Sequence, residues 1–265
     1  MRVYVEGIGL LGPGLDGWTG SRALLAGDAA YVRAPTVLTP NDLLPAAERR
    51  RIGLPVKLAL AAGHEAFMHA RRDAATTATV FTSSSGDGEN LDNICATLAS
   101  PDRKISPTRF HNSVHNAPAG YWSIATRSQK ASTSLSCHDA SFAAGLFDAA
   151  AQIAVENKAV ALITYDQPYP EPLNSVRTIG ASFGMGMVLA AQTTAQAFSA
   201  LDISLVSAEA SATRMTDNSL EAVRTTVPAA RCLPLLAVLA RGVPAVVILA
   251  CGENNHVRVA VTPWP

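Results

Sequence analysis

The sequence predicts an α/β fold, and three observations carry that prediction. Arg2–Ile8 alternates apolar and polar residues with the period of a half-buried strand. Ala159–Tyr165, AVALITY, is almost wholly apolar and reads as a strand covered on both faces, as in a parallel or mixed sheet. Between such strands lie longer apolar segments with helical spacing.

The elements follow in chain order. The first strand ends in a glycine-rich turn, GIGLLGPG. Pro55 opens a helix through LALAAGHEAFMHA, with Leu58, Ala61, Ala62 and Phe67 on its buried stripe and His64 and His69 on its exposed side. Ala78–Ser83 is strand-like and breaks at SSSGDG. AAGLFDAAAQIAVEN is too apolar all round for a surface helix and is read as a buried one. QPYPEP is a connection, and GMGMVLA from Gly184 and LDISLVS from Leu201 are strands. Ala208–Arg231 is polar and weakly patterned, a long connection holding one helix. Leu233–Arg241 is a short helix stopped by Gly242, with Pro244 close behind. VVILACGENNHVRVAV closes the chain as a hairpin whose turn holds Gly252, Asn254 and Asn255, with His256 at its flank. A composition shift near Asn174–Ser182 divides a long first part, 1–175, from a short second part, 176–265.

Composition narrows the function classes. The chain of 265 residues is 48% apolar and 16% charged, with 21 basic and 21 acidic residues. That balance leaves no electrostatic footprint for nucleic acid or a membrane surface. No apolar run is long enough to span a bilayer, and MRVYVEGIG reads as a strand, not a signal peptide. Cys95, Cys137, Cys232 and Cys251 are widely spaced without a C-x-x-C pair, which argues against a metal site or disulfide framework and fits a reducing cytoplasm. No metal and no cofactor are expected.

STSLSCHDASFAAG, Ser132–Gly145, is the most informative stretch. It puts Cys137 between a β-prone run and a small-residue helix, where unpaired N–H groups and the helix dipole favour a thiolate. The competing role is a small apolar residue at a packed helix start. His138 and Asp139 follow directly, but consecutive side chains at a helix start diverge, which argues against a local triad; Asp139 suits the helix N-terminus instead. In SPTRFHNSVHNAPAGYW, His111 and His115 would share a face if the segment were helical, yet they lack a third ligand and the glutamate of a zinc-protease motif. GIGLLGPG follows a strand, but Pro13 breaks the dinucleotide fingerprint. TSSSGDG has neither a P-loop lysine nor a Gly-x-Ser-x-Gly elbow.

These pieces together resemble the β-ketoacyl synthases of the thiolase superfamily. SPTRFHNSVHNAPAGYWSI is similar to that family's Asn-Ser-x-His-Asn-Ala stretch before the nucleophile strand. STSLSCHDASFAAGLFDAAAQI resembles the nucleophile elbow and its buried helix, with Cys137 at the nucleophile position and Gly145 on a glycine eight residues later. AVALITY and GMGMVLA resemble the strand ending the first half and the strand opening the second. The likeness covers most of Met1–Val206 and is closest to short N-terminal-domain proteins of aryl polyene and related type II fatty acid or polyketide clusters. It implies a thiolase-like layered αβαβα fold with a nearly complete first half and a truncated second half.

The departures are as informative. Condensing members carry two histidines in the second half, and neither a His-Gly-Thr-x-Thr nor an Asn-Ser-Phe-Gly-Phe-Gly-Gly motif exists here; after LDISLVS the only histidine is His256. The strand and loops bearing the first histidine are inferred to be lost around Ala208–Arg231. Decarboxylative condensation needs a thiolate and oxyanion donors, so independent condensation is not expected. The resemblance instead implies a chain-length-factor-like subunit pairing with a full-length β-ketoacyl synthase as a heterodimer, with an acyl carrier protein reached through the partner. Ser132, Thr133, Ser134, Leu135 and Ser136 would pair across the two-fold. Phe110, His111, Asn112, His115, Asn116, Tyr121 and Trp122 would lie by the interface and acyl tunnel, with Phe110 and Tyr121 or Trp122 as gates. The alternatives are a stand-alone cysteine acyltransferase or thioesterase using Cys137 with His111, His115 or His138 as base, and a homodimeric carrier-binding module using Arg49–Arg51 and Arg71–Arg72.

Overall fold

A computed structural model describes residues 1–38 and 42–264. The chain runs β1 (Arg2–Gly12), β2 (Leu15–Asp16), α1 (Trp18–Ala26), α2 (Ala46–Arg49), α3 (Leu54–Ala70), β3 (Ala78–Thr82), α4 (Gly88–Ala99) and α5 (Pro107–His111). It continues α6 (Ala117–Thr126), β4 (Ser132–Leu135), α7 (Ser141–Glu156), β5 (Val160–Asp166), α8 (Leu173–Val176), β6 (Phe183–Ala190) and β7 (Ser199–Ser207). It closes α9 (Asn218–Thr226), α10 (Leu233–Arg241), β8 (Ala245–Ala250) and β9 (Asn255–Pro263). Among the described residues the strands form one nine-stranded sheet in the order β4-β3-β5-β6-β1-β7-β9-β8, with β2 folded back on β1. β3 is parallel to β4 and β5, and every other pair is antiparallel. The sheet is therefore mixed, as the apolar run at β5 predicts.

The sheet contains a repeat. α7 leads into β5 and β6, and β6 lies beside β1; α10 leads into β8 and β9, and β9 lies beside β7. β1 and β7 pair antiparallel from Arg2↔Asp202 to Val5↔Ser199, joining the two units. The first unit continues past β5 to β3 and β4, whereas the second stops at β8. The expected division at 175/176 would assign β6 to the second part, but β6 is bonded between β5 and β1. The passage between units falls at 191–198, after β6.

Layering explains the contrasting strand patterns. β5 and β6 are buried at every residue, because α3 packs on one face and α7 on the other. In the second unit Val247, Leu249, Val257, Val259 and Val261 are buried on the α10 side, while Val246 is exposed and Arg258 and Ala260 are half-buried on the other. That alternation is the mark of a sheet with one wet face.

The glycine-rich stretch corrects the reading of a turn after Ile8. β1 runs on to Gly12, and its glycines let α3 approach closely. A Cβ on Gly7 would lie 2.1 Å from Ala66 O, and one on Gly9 2.0 Å from Ala62 O. Gly186 of β6 meets the same helix, 2.5 Å from Ala62 O. Glu65 of α3 accepts the N–H groups of Leu10 at 2.9 Å and Trp18 at 2.6 Å, tying helix to strand. His64 and His69 are half-buried, not exposed. His69 Nδ1 lies 2.6 Å from Ile8 O, and burial lowers the His64 pKa.

Candidate functional site

Cys137 lies in the turn between β4 and α7, with its side chain exposed. Ala140 N donates to Cys137 O at 2.9 Å, and His138 takes the left-handed conformation (φ 52°), so the turn is tight. The expectation of unpaired amides around the sulfur meets a specific departure. Cys137 N–H donates to Ser141 Oγ at 3.0 Å, and that fully buried hydroxyl donates in turn to His138 O at 2.7 Å. The amide that could stabilise an oxyanion on a Cys137 adduct is thus already used inside the turn.

Asp139 stands directly before Ala140, the N-cap of α7, and also serves as a tether. Its carboxylate accepts from Arg177 Nη2 and Arg231 Nη2, each at 2.9 Å, with His138 Nδ1 at 3.5 Å from it. Partial burial works to raise its pKa, and the two guanidiniums outweigh that and hold it below the usual carboxylate range. The tether binds the cysteine turn to the segment after α8 and to the turn before α10. Arg177 also donates to Ser84 Oγ at 2.7 Å.

Beneath lies Asp166, the buried end of β5. It accepts from Ser83 Oγ at 3.0 Å, Ser84 N at 2.8 Å, Ser85 Oγ at 3.3 Å and Ala229 N at 2.8 Å. Burial pushes this carboxyl up to about 6, against those donors, which favour the charged form. Sequence reasoning missed Asp166, Arg177 and Arg231. The one available signal was a carboxylate closing an otherwise apolar strand.

Around 106–122 the predicted residues separate into two groups. α5 ends at His111, so His111 and His115 do not share a helix. His111 stacks edge-on to Tyr121, with centroids 6.3 Å apart, while His115 Nε2 lies 3.2 Å from Leu135 O at the end of β4. Asn112 is an internal tie, accepting from Tyr121 OH at 3.0 Å and donating to Arg51 O at 2.7 Å. Trp122 is buried against Phe67 and Phe81, at centroid distances of 5.4 and 6.3 Å, and so offers no surface for gating. Tyr121 is also buried, at the floor of a surface groove.

That groove, of about 500 Å³, is rimmed by the exposed side chains of Phe110, Val114 and Ile124, with Asn116 at its end. It shares Asn116 and Gly120 with a second groove that reaches β4, the terminal strand of the sheet. Thr79 N donates to Ala131 O and Ser83 N to Leu135 O. In a parallel ladder this turns the N–H and C=O groups of Ser132 and Ser134 away from β3. Ser132 and Ser134 line that second groove with His115, Asn116 and Ser123. Thr133 Oγ1 accepts from Gln152, and Ser136 Oγ lies 3.4 Å from Ser84 O. Among the described residues no cluster of three or more His, Cys, Asp or Glu could hold a metal ion, and no helix is long and apolar enough to cross a membrane.

The family model described as Beta-ketoacyl synthase, N-terminal domain matches residues 23–245, and the chain belongs to that family. Comparison with curated proteins gives no match. Among solved structures, a chain of the ketosynthase ApeO in complex with its chain length factor ApeC, from Xenorhabdus doucetiae, superposes with a TM-score of 0.73 at 23% identity, covering 99% of each chain. The ishigamide ketosynthase/chain length factor gives a TM-score of 0.73 at 13% identity, covering 100% of both. A β-ketoacyl synthase from Burkholderia phymatum gives 0.62 at 16% identity, covering 91% of this chain and 70% of that one. At these identities the likeness establishes the thiolase-like fold.

Proposed function

We propose that this chain is a non-condensing ketosynthase-like subunit, chain-length-factor-like, that pairs with a full-length β-ketoacyl synthase and helps shape its acyl tunnel in polyene, fatty acid or polyketide assembly. The observation that carries the reading is the outer edge of β4. Ser132 and Ser134 offer outward backbone groups there, and the groove they line shares Asn116 and Gly120 with the one rimmed by the exposed Phe110, Val114 and Ile124. Open strand edges and contiguous exposed apolar side chains are the ordinary material of a protein interface. In this reading the exposed Phe110 reaches towards the partner's acyl chain. Two further facts favour a helper over an enzyme: the second half carries His256 as its one histidine, outside both histidine motifs of condensing members, and the Cys137 amide is engaged by Ser141. The end-to-end match to a chain from a ketosynthase and chain length factor complex supports the same reading.

The test is co-expression with a full-length β-ketoacyl synthase, followed by size-exclusion chromatography with light scattering. A 1:1 complex is expected. Ser134→Pro removes an outward N–H without touching the β3 ladder and is expected to abolish the complex while leaving the circular dichroism unchanged. A chain that ignores the synthase and instead captures an acyl group on Cys137 would overturn the proposal in favour of a cysteine acyltransferase or thioesterase.

A further inference from the structure

The two ends of the sheet are built differently. At one end β4 leaves Ser132 and Ser134 facing outward, as described. At the other end stands β8, where the first unit's pattern would continue into two more strands. An edge of that kind is a template for pairing with another chain.

The segment between β7 and α9 meets this edge. It leaves Ser207, crosses the β8–β9 turn where Ala208 N donates to Asn254 O at 3.1 Å, and reaches β8 at Thr213. Thr213 N donates to Ile248 O at 2.9 Å, and Ile248 N donates to Thr213 Oγ1 at 2.9 Å. One residue thus satisfies both backbone groups of Ile248, using its own amide for one and its hydroxyl for the other. β8 is antiparallel to β9, so residues alternate between facing β9 and facing outward. Ile248 faces outward, and therefore Val246 and Ala250 do too. Thr213 occupies the middle of the three outward positions.

We propose that Thr213 is an edge seal: by capping Ile248 it denies β8 to an incoming strand and confines edge pairing of this chain to β4. An open β8 together with an open β4 would give each molecule two unlike edges. Head-to-tail pairing of unlike edges goes past a pair, into a ring where the rotation between molecules closes and into open chains where it does not. With β8 sealed, each molecule has one edge to offer and assembly stops at a pair. The inference concerns the chain's own self-association and stands whether or not a synthase binds at β4.

The experiment uses the full chain and Thr213→Val, which keeps the side-chain shape and removes the acceptor. Amide hydrogen exchange reads the seal: in wild type the Ile248 amide is expected to exchange at least ten times more slowly than that of Val246. Thr213→Val is expected to erase that difference. Light scattering reads the consequence. The mass of Thr213→Val is expected to rise with concentration beyond that of wild type, and adding Val246→Lys, a charge on the same edge, to restore it. Two results would overturn the proposal: an Ile248 amide as unprotected as Val246 in wild type, or an unprotected Ile248 in Thr213→Val with no gain in mass. The wild-type exchange measurement decides the first point even if the variant folds poorly.

Discussion

Gly9→Ala is the sharpest test of how α3 is seated on the sheet. The new methyl carbon would sit 2.0 Å from Ala62 O, 2.9 Å from Ala66 N and 2.9 Å from Glu65 Cβ. A carbon and a carbonyl oxygen come no closer than about 3.3 Å in ordinary packing, so helix and strand must part by about 1 Å. The obstacle is helix backbone and cannot rotate aside. A gap of that size forfeits a quarter to a half of each contact it opens, here along the line of Gly7 and Gly186 as well. Overpacking of this kind costs about 1–3 kcal/mol. The bonds from Leu10 and Trp18 to the Glu65 carboxylate stretch at the same time, adding about 1–2 kcal/mol. The total expected is about 3–4 kcal/mol, read as the shift in urea-unfolding free energy at constant slope. Gly20→Ala is the control, since Gly20 is an exposed position in α1 with nothing within 4 Å of an added Cβ. It should gain about 0.5–1 kcal/mol. A Gly9→Ala loss below about 1 kcal/mol would refute the close-approach argument.

Three further outcomes are expected. Asp166 keeps its proton to about pH 6 in the folded protein, while an unfolded aspartate loses it near pH 4, so the native state binds more protons in between and stability falls as pH rises through that window. At about 1.4 kcal/mol per pH unit this amounts to about 3 kcal/mol; His64, with a lowered pKa, acts in the opposite sense, so the readout is the difference in pH slope between wild type and Asp166→Asn, and equal slopes would contradict it. Asp139→Asn should cost about 1–2 kcal/mol in thermal or urea unfolding, discounted for the partial exposure of the cluster, because it leaves Arg177 and Arg231 facing each other. Thiol titration of the native protein with an aromatic disulfide should show Cys95 and Cys137 reacting promptly and the buried Cys232, with its thiol pKa raised by burial, only after unfolding; a prompt Cys232 would contradict the packing around α10.

Much of the architecture was readable because burial leaves a periodic trace. β5 reads as covered on both faces, and β9 alternates, since helices flank the first unit on two sides and the second on one. α10 falls on Leu233–Arg241 with Gly242 in the left-handed C-cap, where local chemistry alone sets the stop. The glycines of β1 misled because a strand glycine that admits a helix looks, in one dimension, like a turn glycine. His111 and His115 misled through spacing, which has meaning only if the helix persists between them. At the candidate site, Cys137 was legible from its flanks. Asp166, Arg177 and Arg231 were not, because each meets partners between 38 and 92 residues away in the chain, and no local pattern records such a contact.

The single helical layer over the second unit has a dynamic consequence. Strands sandwiched between helices shed their amide protons only through large openings, whereas a strand with one wet face can open locally at lower free energy. β5 and β6 are therefore expected to exchange more slowly than the β8–β9 hairpin. β4 lies at the end of the sheet that holds β5, bonded to β3, which in turn lies against the fully buried β5. β4 and the hairpin stand at opposite ends of the sheet, so local opening of the hairpin need not disturb β4.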